Sequence, residues 1–216
     1  MKVVTALPWV EPVWQRISQQ ISQSRLPHAV LLSGQEGIGK RLLLREVAQL
    51  LLCHLQNSNQ SLASPCGQCS SCHLFDAGSH PDLLMVEPED AGKQIKIDQI
   101  RQVTDFANTT ARQGGKKVVL LGPAEAMNIN ASNALLKNLE EPVADVTMLL
   151  YCHQPSALLA TIRSRCQQLV LSAPDWQQGL KWLQANSEDG AVEALLRLAK
   201  GAPLKALSMA EQEANI

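Results

Sequence analysis

The feature that most constrains this chain is the run Gly34-Gln35-Glu36-Gly37-Ile38-Gly39-Lys40-Arg41. An apolar stretch, His28 to Ser33, leads into it, and a leucine-rich stretch, Leu42 to Leu52, leads out. A glycine-rich loop between a buried strand and a helix is the arrangement in which backbone N–H groups and a helix N-terminus hold phosphates. Gly34, Gly39 and Lys40 complete the pattern G-x-x-x-x-G-K, with Gly37 between them, and the lysine of that pattern reaches the terminal phosphates. The next position breaks the pattern. Arg41 stands where a Ser or Thr hydroxyl would bind Mg²⁺. The loop is expected to retain a shape fit for phosphate while serving metal-assisted chemistry poorly, so ATP binding through Lys40 is doubtful. The plainer alternative is a turn that tightens a strand-to-helix joint.

The flanking sequence sets the fold class. Val13, Ile17 and Ile21 fall at helical spacing within Trp9 to Gln23, and Leu42, Leu43, Val47, Leu50 and Leu51 give the helix after the loop a wide apolar stripe. Ala29 to Leu32, Asp82 to Val86, Lys117 to Leu121 and Val146 to Tyr151 are short apolar runs bounded by turn residues, the pattern of buried parallel strands. Helices are expected between them at Asp98 to Asn108, with Asp98 as N-cap, and at Asn130 to Glu140, which stops before Pro142. Alternating strands and helices mean an α/β sheet covered on both faces.

Past Cys166 the pattern changes to helices. They are expected from Pro174-Asp175 through Gln184, from Gly190 to Lys200 with Gly201 as stop, and from Pro203 to Glu213, with at most one short strand at Gln167 to Leu171. The predicted organisation is an α/β domain over residues 1–171 and a small helical lid over 172–216. The polar stretch Gln56 to Ser64 reads as a solvated loop. Met1 to Trp9 carries one lysine and no long apolar core, so a signal peptide or membrane span is not expected there. A formal net charge of −1 argues against a chain that binds DNA tightly by itself. The six cysteines read as thiols or metal ligands of a cytoplasmic protein rather than as disulfides.

Cys66, Cys69 and Cys72 are spaced C-x₂-C-x₂-C, and Cys53 lies upstream at the end of the leucine-rich helix. Four thiolates from a helix end and a Pro/Gly/Ser-rich loop close a tetrahedral shell around Zn²⁺, the usual structural site. The module, about 53–76, interrupts the path between two strands and is expected to be stapled by metal. Iron–sulfur runs continue C-x₃-C-P, whereas Asp76 stands at that place here. His54, His73 and His80 are the substitutes if Cys53 points away. A closed shell has no open position for a reactive water, so the expected role is stability or partner contact.

Catalysis of nucleotide hydrolysis needs acids at the end of a central strand. After Lys117 to Leu121 come Gly122, Pro123, Ala124 and Glu125, so neither adjacent position is acidic, and Glu125 would have to reach back past a proline turn. Further on, Thr161-Ile162-Arg163-Ser164-Arg165-Cys166 sets two arginines beside a strand end. They are either ordinary solvated charges or donors of a forked guanidinium to a phosphate on a neighbour. Cys166 reads as a small buried apolar residue.

Taken with His28 to Leu32, Gly34 to Lys40, the four cysteines, His80-Pro81-Asp82, Asn133 to Lys137, Leu139 to Pro142 and Ser164-Arg165-Cys166, the chain resembles the clamp-loader branch of the AAA+ superfamily. The resemblance runs from about Trp9 to Leu207. It implies a five-stranded parallel sheet, a zinc module, a helical lid, and an arginine finger at Arg165 that acts in trans. In motor members of this branch the loop ends in Lys-Thr or Lys-Ser, and the central strand ends in Asp-Glu. Here those places hold Arg41, Gly122 and Pro123, the polar sensor position holds Cys152, and the lid arginine falls on Leu204, beside Lys205. The resemblance therefore implies a non-catalytic, stator-like clamp-loader subunit in DNA replication. Its expected partners are the motor and clamp-opening subunits, with DNA met only through the assembled complex. An active AAA+ ATPase and a zinc-containing DNA-binding module are the alternatives. The branch also carries a helical collar domain after the lid; with Ile216 as the last residue here, weaker partner affinity is expected.

Overall fold

The computed structural model describes residues 6–57, 64–90, 92–113, 115–187 and 190–213. A short 3₁₀ turn, Pro8–Val10, leads into helix α1 (Glu11–Ser22), which is followed by strand β1 (Ala29–Ser33). The glycine-rich loop then opens helix α2 (Lys40–Leu52), and two short helices follow, α3 (His54–Asn57) and α4 (Ser70–Asp76). Strand β2 (Leu83–Val86), helix α5 (Ile97–Asn108), strand β3 (Lys117–Leu121), helix α6 (Ile129–Glu140) and strand β4 (Val146–Cys152) alternate in turn. Helix α7 (Ala160–Arg165) and strand β5 (Gln167–Val170) complete the α/β part. Helices α8 (Trp176–Asn186), α9 (Val192–Leu198) and α10 (Pro203–Glu213) form the helical C-terminal part.

The five strands form one parallel sheet in the order β2-β3-β4-β1-β5. Successive residues of a strand point to opposite faces, which divides the core into two. Val30, Leu32, Val118, Leu120 and Leu149 face α1 and α2, while Leu31, Val119, Leu121 and Leu150 face α5, α6 and α7. The first of these cores continues without a break into the helical part through Leu183, Leu195, Leu196 and Ala202. Trp9 and Trp182 join the two parts: their rings meet edge to face with centroids 5.6 Å apart, and Trp182 Nε1 donates to the Ala6 carbonyl. Trp9 Nε1 donates to the Ile38 carbonyl within the glycine-rich loop at 2.8 Å.

Two local expectations are corrected and one element is added. Asp98 is not an N-cap: α5 begins one residue earlier, the Gln99 side chain accepts from Lys96 N at 3.0 Å, and Asp98 pairs instead with Arg101 at 2.7 Å. A glutamine at the third helical position can reach back to the cap N–H, which leaves Asp98 to face its own next turn. Gln56 and Asn57 are helical rather than looped, and residues 58–63 of that polar stretch lie outside the described residues, as do residues 1–5. Helix α7 has no counterpart among the expected elements, being too short for a periodic pattern to register. Asp175 does cap α8, accepting from Gln178 N at 2.8 Å, and Gly201, at φ +80°, donates to the Leu196 carbonyl beyond the end of α9.

Candidate functional site

Three groups of residues were marked by the sequence. The glycine-rich loop sits between β1 and α2, and Lys40 is the first residue of α2. Its ammonium is buried and turned back on the loop, donating to the carbonyls of Gly34 at 2.7 Å and Gln35 at 2.5 Å. Burial pushes the Lys40 pKa down to about 8, against the opposing pull of Cys152, Glu125 and Glu36.

The glycines are required by the chain itself. A Cβ on Gly34 would lie 2.2 Å from the Leu171 carbonyl oxygen, and one on Gly37, at φ +77°, would lie 2.5 Å from Lys205 Cβ. One on Gly39 would lie 2.5 Å from Leu7 Cδ1. The start of α10 is set directly onto the loop: Leu204 N donates to Gly37 O at 3.0 Å, and Lys205 Nζ pairs with Glu36 at 2.7 Å. From the turn between α9 and α10, the Ala199 and Lys200 carbonyls accept from the Gln35 side chain at 3.1 and 3.0 Å.

The places where metal and water would be managed are likewise filled. Arg41 forms a two-armed ion pair with Glu87, one arm at 2.8 Å, and the Tyr151 hydroxyl donates to the same carboxylate at 2.9 Å. The Tyr151 ring covers Gly122, where an added Cβ would meet it at 2.6 Å. Glu125 does not reach back as a base; its carboxylate accepts from the backbone N–H groups of His153 at 2.7 Å and Gln154 at 3.1 Å. Leu204, at the place of the lid arginine, lies beside Gly39.

The cysteines converge. The sulfurs of Cys53, Cys66, Cys69 and Cys72 all lie within 4.8 Å of one another, and Cys66 and Cys72 are 3.8 Å apart. With a metal–sulfur bond of about 2.3 Å, a tetrahedral shell needs sulfurs about 3.8 Å apart, so the donor set fits a zinc-sized ion. Cys53 follows the end of α2, and Cys69 caps α4 by accepting from Cys72 N. Burial opposes a thiolate at Cys66, but N–H groups of Gln68 and Cys69 directed at its sulfur bring the pKa down to about 6. Burial pushes the Cys72 thiol up.

The histidine substitutes are not needed for the shell. His80 is buried, with Nδ1 accepting from Asp82 N at 3.0 Å and Nε2 in contact with Ser71 Oγ at 2.8 Å, and the Ser71 hydroxyl donates to Leu52 O at 2.6 Å. The buried Asp82 carboxylate accepts from Arg112 N and Gln113 N, both at 2.8 Å. Ser71 and Leu52 neighbour two of the cysteines, so His80-Pro81-Asp82 ties the module to the sheet.

Arg165 ends α7, remote in sequence from the loop. Its guanidinium is partly exposed, paired with Glu140 at the end of α6 at 2.6 Å, and donates to Thr161 O at 3.0 Å. Cys166, next in the chain, is buried, which pushes its thiol up to about 11 and agrees with an apolar role. The contacts of Glu87, Tyr151, Glu140 and Trp9, and that of Lys205 with Gly37, escaped the sequence reading. Their partners lie tens of residues away, beyond the reach of any local pattern.

Comparison with known proteins gives this geometry a family. The profile described as DNA polymerase III, delta subunit, matches residues 9–175. DNA polymerase III subunit delta' of Pseudomonas aeruginosa is 46% identical over 202 residues, covering 92% of this chain and 60% of the relative. The chain thus spans about three-fifths of the length of such a relative. Among solved structures, a DNA polymerase III gamma subunit-related protein from Thermotoga maritima superposes with a TM-score of 0.58 at 24% identity, over 92% of this chain and 57% of that one. A Thermotoga maritima RuvB variant superposes at 0.56 with 13% identity, over 94% of this chain and 60% of that one, a likeness of AAA+ fold alone. The matched profile, which spans most of the chain and takes in loop, cysteines and Arg165 together, means that this chain belongs to the family of bacterial DNA polymerase III delta' subunits.

Proposed function

We propose that this protein is a non-hydrolysing, stator-like subunit of the DNA polymerase III clamp loader, and that Arg165 serves the ATP site of an adjacent motor subunit. The observation that carries this reading is the state of the protein's own loop: Lys40 is spent on the Gly34 and Gln35 carbonyls beneath residues that start α10. Arg41, Glu87 and Tyr151 occupy one another where a metal ligand and catalytic acids would work. ATP is therefore not assigned as a working cofactor. The helical part is held to the loop through Trp9, Leu204 and Lys205, which suits a rigid scaffold better than a nucleotide-driven hinge.

In this role Cys53, Cys66, Cys69 and Cys72 hold a structural Zn²⁺, which supplies cross-linking and no chemistry. The partners are motor and clamp-opening subunits in the cytoplasm, with DNA reached through the complex. No described helix is long and apolar enough to cross a membrane. Arg165→Ala, placed in the full-length protein and assembled with motor subunits, is expected to leave folding intact and slow ATP hydrolysis at the neighbouring site by about a thousandfold. Steady-state turnover of the complex checks this: unchanged turnover removes the finger assignment. Mg²⁺-dependent turnover by the protein alone would favour an active AAA+ ATPase instead, and salt-dependent DNA affinity without partners would favour a DNA-binding module.

A further inference from the structure

Glu140 is placed where a carboxylate is unfavourable to its own helix. As the last residue of α6 it sits at the end where unpaired carbonyls carry the negative pole of the helix dipole. What faces it is Arg165, at the end of α7, with Nη2 2.6 Å from Glu140 Oε1. The other terminal nitrogen of the same guanidinium, Nη1, donates to the Thr161 carbonyl in the first turn of α7 at 3.0 Å. The fork is thus held at both terminal nitrogens by groups from two different helices, and its side chain remains about one-third exposed.

We propose that Glu140 is a positioning residue that presets the Arg165 guanidinium for a nucleotide triphosphate bound on a neighbouring chain. This rests on the reading of Arg165 given above. A free arginine side chain disperses over many rotamers, so a phosphate that captures it must first order it. The Glu140 carboxylate and the Thr161 carbonyl order it in advance, while the planar fork keeps further N–H donors for a phosphate oxygen. Ordering of this kind is expressed where negative charge develops, in the transition state, rather than in ground-state affinity for ATP. The carboxylate is half-exposed, so the effect is modest and the substitution is tolerated by the fold.

The test compares Glu140→Ala, Glu140→Gln and Arg165→Ala in the full-length protein assembled with motor subunits. Arg165→Ala defines the share of ATP turnover carried by the site it faces. Glu140→Ala is expected to slow that site about two- to fivefold, removing half or more of the share, with KM unchanged. Glu140→Gln retains an acceptor oxygen and restores most of the loss. The double variant Glu140→Ala/Arg165→Ala is expected to be no slower than Arg165→Ala alone, because Glu140 acts only through the arginine. The melting temperature of the Glu140 variants stays level or rises, since a charge opposed to the helix dipole has gone. If Arg165→Ala has no effect, the finger reading itself fails. If Arg165→Ala is slow but Glu140→Ala is normal, faster than the parent, or additive with it, the positioning role fails and the finger stands.

Discussion

The glycine-rich loop and the cysteine cluster both carry recognisable motifs, yet the fold treats them in opposite ways. At the cysteines, four soft donors from α2, the following loop and α4 arrive at one point with spacing that suits an ion. At the loop, the glycines and the lysine of the motif are present but their donors and space are used by the same chain: Lys40 by two carbonyls, Gly37 by α10, Gly39 by Leu7. A metal motif consists of the ligands themselves, so bringing them together is most of the function. A phosphate loop is a backbone shape, and shape alone does not say what is packed on top of it.

That contrast can be broken most sharply at the cysteines. Cys69→Ser, or removal of metal by a chelator, is expected to lower stability by on the order of 4 kcal/mol, because loss of a structural metal is among the few single changes with effects this large. Thermal melting with metal analysis checks it; an unchanged melting curve together with no bound metal would dismiss the zinc site. Arg165 is on the far side of the sequence from this module, and its role in the assembled complex should be untouched at temperatures where the variant is folded.

A smaller effect is expected at the loop. Gly37→Ala combines a positive φ with a Cβ driven into the backbone of Lys205, so the contact between loop and α10 must give. The expected cost is about 1–3 kcal/mol, read by denaturant unfolding. The positive φ alone costs an alanine about 1 kcal/mol even where the loop is open, so a loss below that would contradict the packing explanation.

The last effect is read through pH and concerns Lys40. Its folded pKa, about 8, lies below the ordinary value of 10.5, so between those limits the unfolded chain binds more protons than the folded one. Stability attributable to Lys40 therefore rises as pH climbs from about 8 towards 10.5, and the penalty for burying its charge is fully present below 8. Lys40→Met should lose this slope relative to the parent. Parallel melting curves of the two proteins across that window would place the ammonium in a solvated setting and undo the view of a closed loop.

The strands, most helices and the grouping of the four cysteines were legible because each depends on neighbours in sequence. Ala29 to Ser33 and Lys117 to Leu121 are continuous apolar runs bounded by turn residues, Asp175 lies just ahead of the helix it caps, and the C-x₂-C-x₂-C spacing states its own geometry. Asp98 misled because Gln99 competed for the same cap. The sequence alone also established what the loop lacks, since Arg41, Gly122 and Pro123 cannot act as metal ligands or acids through their side chains. Only the tertiary structure decided what replaces them: Glu87 and Tyr151 around Arg41, α10 upon Gly37, Trp9 between Ile38 and Trp182, and Glu140 beside Arg165. Each of these pairs elements distant in the chain. Local propensity and periodicity carry no information about such meetings, which follow from the strand order of the sheet and from the way its two faces are covered.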